Sequence, residues 1–158
     1  MPTVTTNTVA RKPMLLMVHW LLVFASLSAC SGPADDASRA IARHFELSGR
    51  KEVNLADAVP GLWDKVCVLG PYSDNRRVKD MLGFDWNVET KTSIQTNEGI
   101  SLLLFVRGAD VLTHIEHPRS GGDFTNLSGK CFLRKQSWFV HDPSPATGWP
   151  GLFHKNAT

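Results

Sequence analysis

Residues 100–106 constrain the fold more than any other segment. Leu102-Leu103-Leu104-Phe105-Val106 leaves no polar face, and because successive side chains of an extended chain point to opposite sides, the segment reads as a strand central in its sheet. Lys65-Val66-Cys67-Val68-Leu69, ended by Gly70-Pro71, has the same character and also belongs inside a sheet. Arg107-Gly108-Ala109-Asp110 separates the first run from residues 111–117, a spacing that suits a hairpin with a glycine in its turn. The two strands are expected to be antiparallel neighbours. Alternation puts Val111, Thr113, Ile115 and His117 on one face of the second strand and Leu112, His114 and Glu116 on the other.

Helical spacing appears in two places. Residues 36–48 bring Ala37, Ile41, His44, Phe45 and Ser48 to one face, with Asp35 and Asp36 at the end where the helix dipole favours acids and Gly49 as a stop. Residues 73–82 turn Val78, Met81 and Leu82 inward, with Ser73 or Asp74 as the cap and Gly83 as the stop. Asp123 is placed to cap one short turn before Gly129, and residues 130–140 read as a last strand carrying Cys131, Leu133, Trp138 and Val140. Beyond it Pro143, Pro145, Gly148, Pro150 and Gly151 predict an irregular tail over 143–158. The sum is an α+β domain over residues 35–142, one mainly antiparallel sheet with two or three helices packed on one side.

The length of 158 residues fits one such domain, and no internal repeat is visible. A 42% hydrophobic content with a net charge of +2 excludes a disordered chain, and there is no basic excess to hold a nucleic-acid backbone.

The N-terminus has a different composition. Residues 1–29 hold no acidic side chain; Arg11 and Lys12 precede an apolar run over 14–24, and small residues follow. That run is too short for a spanning helix, which needs about 20 residues, and has the length of a signal-peptide core. Leu27-Ser28-Ala29-Cys30 resembles the lipobox of bacterial lipoproteins. The resemblance implies that Cys30 receives a diacylglyceryl group and becomes the first residue of the mature protein. It also implies a membrane as partner, held through two or three acyl chains. The plainer alternative is an ordinary secretory peptide cut after Ala29, with Cys30 a free thiol. Loss of residues 1–29 removes Arg11 and Lys12 from the 17 basic residues and nothing from the 15 acidic ones, so the formal charge falls from +2 to zero. Ser31 in place of an aspartate resembles lipoproteins passed on to the outer membrane, where the domain would face the periplasm. Residues 30–34 form a short tether, so the domain is expected close to the bilayer.

With Cys30 assigned to lipid, Cys67 and Cys131 remain of the three cysteines. Outside the cytoplasm they are expected to form a disulfide; two buried free thiols are the alternative.

Chemistry-bearing clusters are few. Thr113-His114-Ile115-Glu116-His117 has ligand-type side chains at close spacing, and His114 and Glu116 point the same way, but a metal site would need a third ligand such as His44 or His141. A half-solvated sheet face is the more ordinary reading, so no metal and no cofactor are assigned. No Gly-x-Ser-x-Gly elbow or glycine-rich phosphate loop is present, and pairs such as Asp85 and Glu89 or Asp35 and Asp36 occur in almost any protein of this size. Gly121-Gly122 marks a turn that would leave Arg119 exposed for a partner. Trp63, Tyr72, Phe84 and Trp86 lie near element ends, and Trp149, Leu152 and Phe153 would be exposed anchors if the tail does not pack.

The stretches Trp63-Asp64-Lys65-Val66-Cys67-Val68-Leu69-Gly70-Pro71-Tyr72, Leu82-Gly83-Phe84-Asp85-Trp86 and His117-Pro118-Arg119, together with the lipobox, resemble small uncharacterised lipoproteins of proteobacteria over residues 20–135. The resemblance implies an envelope location and carries no activity or catalytic residue. Three functions compete: a non-enzymatic envelope protein that binds another protein or a surface component, an immunity protein against a toxin delivered to the periplasm, and a small hydrolase or metal-dependent enzyme using His114 and Glu116.

Overall fold

The computed structural model describes residues 1–3 and 32–155. The chain divides into two units, Met1–Cys30 and Ser31–Thr158, and the fold below is that of the second. The apolar run over 14–24 and Cys30 lie outside the described residues.

Helix α1 spans Pro33–Leu47 and begins earlier than the spacing suggested, because Pro33 occupies the first helical position, where its missing N–H costs nothing. The Gly32 carbonyl accepts from the Asp35 and Asp36 N–H groups at 2.9 and 3.1 Å. The tether expected over 30–34 is therefore shorter, since Pro33 and Ala34 belong to the helix. Ile41 and Phe45 are buried and Ala37 packs beside them, whereas His44, expected on the same face, is exposed.

Strand β1 (Glu52–Asn54) and the single turn α2 (Leu55–Ala58) follow, then β2 (Lys65–Leu69) and α3 (Asn75–Leu82). Asp74 caps α3 by accepting from the Arg77 N–H at 2.8 Å, and Gly83 ends it at φ 82°. After the turn α4 (Val88–Lys91) come β3 (Ile100–Arg107) and β4 (Asp110–Pro118), a hairpin closed through Gly108 and Ala109. Opposite Phe105 and Val106 the register skips Leu112, so β4 carries a bulge. The bulge moves Val111 to the face opposite Ile115, against the plain alternation.

Residues 130–140 are two strands. β5 (Lys130–Leu133) and β6 (Trp138–Asp142) are separated by a turn over Arg134–Gln136, which the Ser137 hydroxyl closes by donating to the Arg134 carbonyl at 2.8 Å. The tail is irregular only as far as Pro150. Gly151–His154 form β7, paired antiparallel with β6, and Leu152 is fully buried.

The α+β class holds, but there are two antiparallel sheets in place of one, β4-β3-β2-β5 and β1-β6-β7. Helices also lie on both faces of the larger sheet. Val66, Val68, Leu103, Phe105 and Ile115 face α1 and the smaller sheet; Cys67, Leu69, Leu102, Leu104 and Val106 face α3 and α4. The physical reason is in β2 and β3 themselves: strands apolar on both sides must be covered on both. Cys67 and Cys131 stand directly opposite each other on β2 and β5, with Cα atoms 4.0 Å apart, and form a disulfide.

Candidate functional site

Strand β4 is an edge of the larger sheet, and its two faces hold the histidines and the glutamate in different environments. His114 and Glu116 share a cleft of about 210 Å³ with Ala34 and Asp35 of α1. Trp86 packs edge-on to the His114 ring at 5.4 Å. Both Glu116 oxygens are engaged: Oε1 accepts from the Ser93 N–H and Oε2 from the Ser93 hydroxyl, each at 2.7 Å. The carboxylate thus fixes the turn between α4 and β3. His141, a candidate third ligand, packs against the Phe45 ring at 5.8 Å, and His44 is exposed on α1. Among the described residues no three His, Cys, Asp or Glu side chains are arranged to hold a metal ion. Because Glu116 ties down a turn, Glu116→Ala is expected to cost about 1–2 kcal/mol. His114→Ala should cost about 0.5 kcal/mol or less. Urea titration of the two variants checks the difference, and equal midpoints would contradict it.

His117 lies on the opposite face and is wholly buried. Its Nδ1 shares a hydrogen bond with the Ser38 hydroxyl at 3.0 Å, and the Phe124 ring packs edge-on at 5.7 Å. Nε2 is buried without a hydrogen-bond partner. A Cβ on Gly121 would come within 3.2 Å of that nitrogen, so the ring is closely enclosed on that side. The Ser38–His117 contact joins residues 79 apart and ties α1 to β4. Sequence reasoning put His117 on the same face as Ile115 but had no signal for its burial or its partner.

Burial holds the His117 pKa below the ordinary histidine value, opposed in part by the backbone of Gly121. The unfolded chain, with an ordinary pKa, therefore binds the proton more readily than the folded one. The stability due to neutral His117 is complete above about pH 6.5 and is lost as the pH falls below that value towards the lower folded pKa. Chemical denaturation across this range should show midpoints falling below about pH 6.5. The fall should be shallower in His117→Gln, and parallel profiles would refute the assignment.

Arg119 is not free for a partner as expected. Its Nε and Nη2 donate to Asp123 Oδ2 at 2.9 and 2.8 Å, and its Nη1 donates to the Glu98 carbonyl at 3.2 Å. Burial alone would raise the Asp123 pKa, but hydrogen bonds from Arg119 and Thr125 outweigh it and hold the carboxyl below its ordinary value. Asp123 Oδ1 accepts from the Thr125 N–H at 2.9 Å, but the cap position of the short turn Thr125–Leu127 is Phe124, so Asp123 steadies the turn from one residue before the cap expected of it. Its carbonyl accepts from the Leu152 N–H at 2.7 Å and so also seats β7.

Of the acid pairs noted in the sequence, Glu89, Asp85 and Asp36 have structural partners as well. Glu89 Oε1 accepts from the Asn75 N–H at 3.0 Å and the Asn75 side chain accepts from the Glu89 N–H, which ties α4 to the start of α3; Asp85 pairs with Lys79 at 3.0 Å. Asp36 pairs with Arg39 on the exposed side of α1. Of the aromatic residues, Trp63 is buried and donates its indole N–H to the Val59 carbonyl at 2.8 Å, while Phe84 and Trp86 pack against the α3-side core. Tyr72 and Trp149 are exposed, and Phe153 is half-buried on β7. A cleft of about 530 Å³ between α3 and β5 is lined by Arg76, Arg77, Asp80, Met81, Ser128, Gly129 and Lys130. Among the described residues no helix is long and apolar enough to cross a membrane. Comparisons with family models, curated proteins and solved structures find no match.

Proposed function

We propose that the chain is a lipid-anchored bacterial envelope protein whose folded domain is a non-enzymatic binding module. The observation that carries the reading is Leu27-Ser28-Ala29-Cys30 behind an acid-free N-terminus with an eleven-residue apolar run. The Cys67–Cys131 disulfide supports a compartment outside the cytoplasm, where such bridges persist. Support for binding over catalysis comes from the commitments of the reactive side chains. Glu116 holds the Ser93 turn, His117 is sealed against Ser38, and Arg119 and Asp123 hold each other. In this reading the acyl chains on Cys30 keep the domain at the periplasmic face of the outer membrane, and its partner is a protein.

Labelling with radioactive palmitate tests the anchor. Wild-type protein should take up label and run at the size of a chain cut before Cys30; Cys30→Ala should take up none and keep residues 1–29. Equal labelling of the two would remove the reading.

A further inference from the structure

One end of the larger sheet gathers exposed leucines and unpaired cations where the chain enters the domain. The direction of α1 fixes that end. Ala34 and Asp35 lie by His114 and Glu116, Ser38 bonds His117, and Arg50 reaches the Ser120 carbonyl at 3.0 Å. Helix α1 therefore runs beside β4 in the same sense, with its N-terminus towards the β3–β4 turn. At this end Asp64 joins three segments: its N–H donates to the Val106 carbonyl at 2.8 Å, its carbonyl accepts from the Arg134 N–H at 2.8 Å, and its carboxylate accepts from the Gly108 N–H at 3.0 Å.

Around that junction Leu62 is 77% exposed, Leu112 51% and Leu133 48%. Arg107 and Arg134 line one cleft of about 350 Å³ with Leu62, and neither makes an ion pair among the described residues. The Arg134 guanidinium lies over the Trp63 ring at 5.4 Å and gives one N–H to the Ala56 carbonyl at 3.3 Å, which leaves its other N–H groups for a phosphate. Only Ser31 and Gly32 separate Cys30 from Pro33. At about 3.6 Å per residue that tether reaches roughly 10 Å even when fully extended.

The geometry points to a contact between this end of the domain and an anionic phospholipid surface, with Leu62, Leu112 and Leu133 at the headgroup level and Arg107 and Arg134 on lipid phosphates. The inference rests on lipidation of Cys30, which holds the helix start within reach of the headgroups. A leucine beside an arginine suits this boundary because the aliphatic part enters it while the guanidinium keeps its phosphate and water contacts. Asp64 lies at the same end, but its carboxylate accepts the Gly108 N–H, and Asp110 is the one further acid on the hairpin turn.

The test uses the lipidated protein, its N-terminal mass measured first, in phosphatidylethanolamine vesicles with either phosphatidylglycerol or phosphatidylcholine added. Amide hydrogen exchange over residues 60–64 and 107–113 should slow several-fold with phosphatidylglycerol, while residues 143–149 exchange unchanged. In Arg107→Gln/Arg134→Gln the ratio of docked to undocked domain should fall about 30-fold, at about 1 kcal/mol for each cation near an anionic leaflet. Identical exchange in the two kinds of vesicle, or slowing that extends to 143–149, would overturn the contact. Should the mass show no lipid on Cys30, the anchor reading fails by that measurement alone. Co-sedimentation of the same protein with phosphatidylglycerol vesicles then decides the surface: binding weakened by the double variant upholds it, and binding absent or unaffected by the variant overturns it.

Discussion

Replacing Cys67 and Cys131 together by alanine is expected to cost the domain about 4 kcal/mol, the effect of releasing a loop of about 65 residues in the unfolded chain. Both β2 and β5 keep their ladder partners in such a variant, so the loss falls mainly on the unfolded state. Cys67 is fully buried among Leu69, Leu102 and Leu104, so an alanine there also loses some packing. Against a total of about 5–15 kcal/mol for a domain of this kind the change is large. Thermal unfolding should shift down by more than about 10 °C, and adding reductant to the wild type should reproduce the shift. A variant that melts with the wild type would mean that the bridge adds nothing to stability.

Phe139→Ala should cost about 3–5 kcal/mol. Phe139 is fully buried on β6, the middle strand of the smaller sheet, and its ring meets Phe124 at 5.6 Å and Phe132 of β5 at 5.1 Å. It therefore joins the smaller sheet to the larger one, and the cavity left by alanine would open between them. Its neighbour Trp138 points outward, 40% exposed under the Lys155 ammonium at 3.5 Å, so Trp138→Ala should cost about 1 kcal/mol or less. Denaturant unfolding of the two variants gives the comparison. Similar losses at 138 and 139 would contradict the packing described.

Most of what sequence reasoning recovered is local in origin. The apolar runs of β2 and β3, the Gly108 turn, the Asp74 cap and the Gly83 stop each depend on a few adjacent residues. What it missed depends on distant ones. A period of two says that β3 is buried on both sides without saying what covers it, so the smaller sheet was invisible: β1 has three residues and β7 four. The proline and glycine content of 143–151 hides β7, yet one of those glycines is required by the strand. A Cβ on Gly151 would stand 2.9 Å from the Asp123 carbonyl oxygen. Asn126 clasps the Trp149 backbone from both sides, at 2.8 and 3.1 Å, and so directs the chain into the strand. Likewise, alternation cannot register the Leu112 bulge, which changes the face on which Val111 lies.

At the candidate site, the pairing of His114 with Glu116 was legible from the two-residue spacing. The addition of Asp35 to their cleft was not, and neither was the engagement of Glu116 by Ser93. The Arg119–Asp123 pair lies within four residues, but its importance comes from β7 resting on the Asp123 carbonyl.

The most direct measurement is the mass of the N-terminal peptide of the native protein isolated from bacterial envelopes. A peptide that begins at Cys30 and carries acyl chains is the predicted result. A chain that retains residues 1–29, or that begins at Cys30 with an unmodified thiol, would contradict the account.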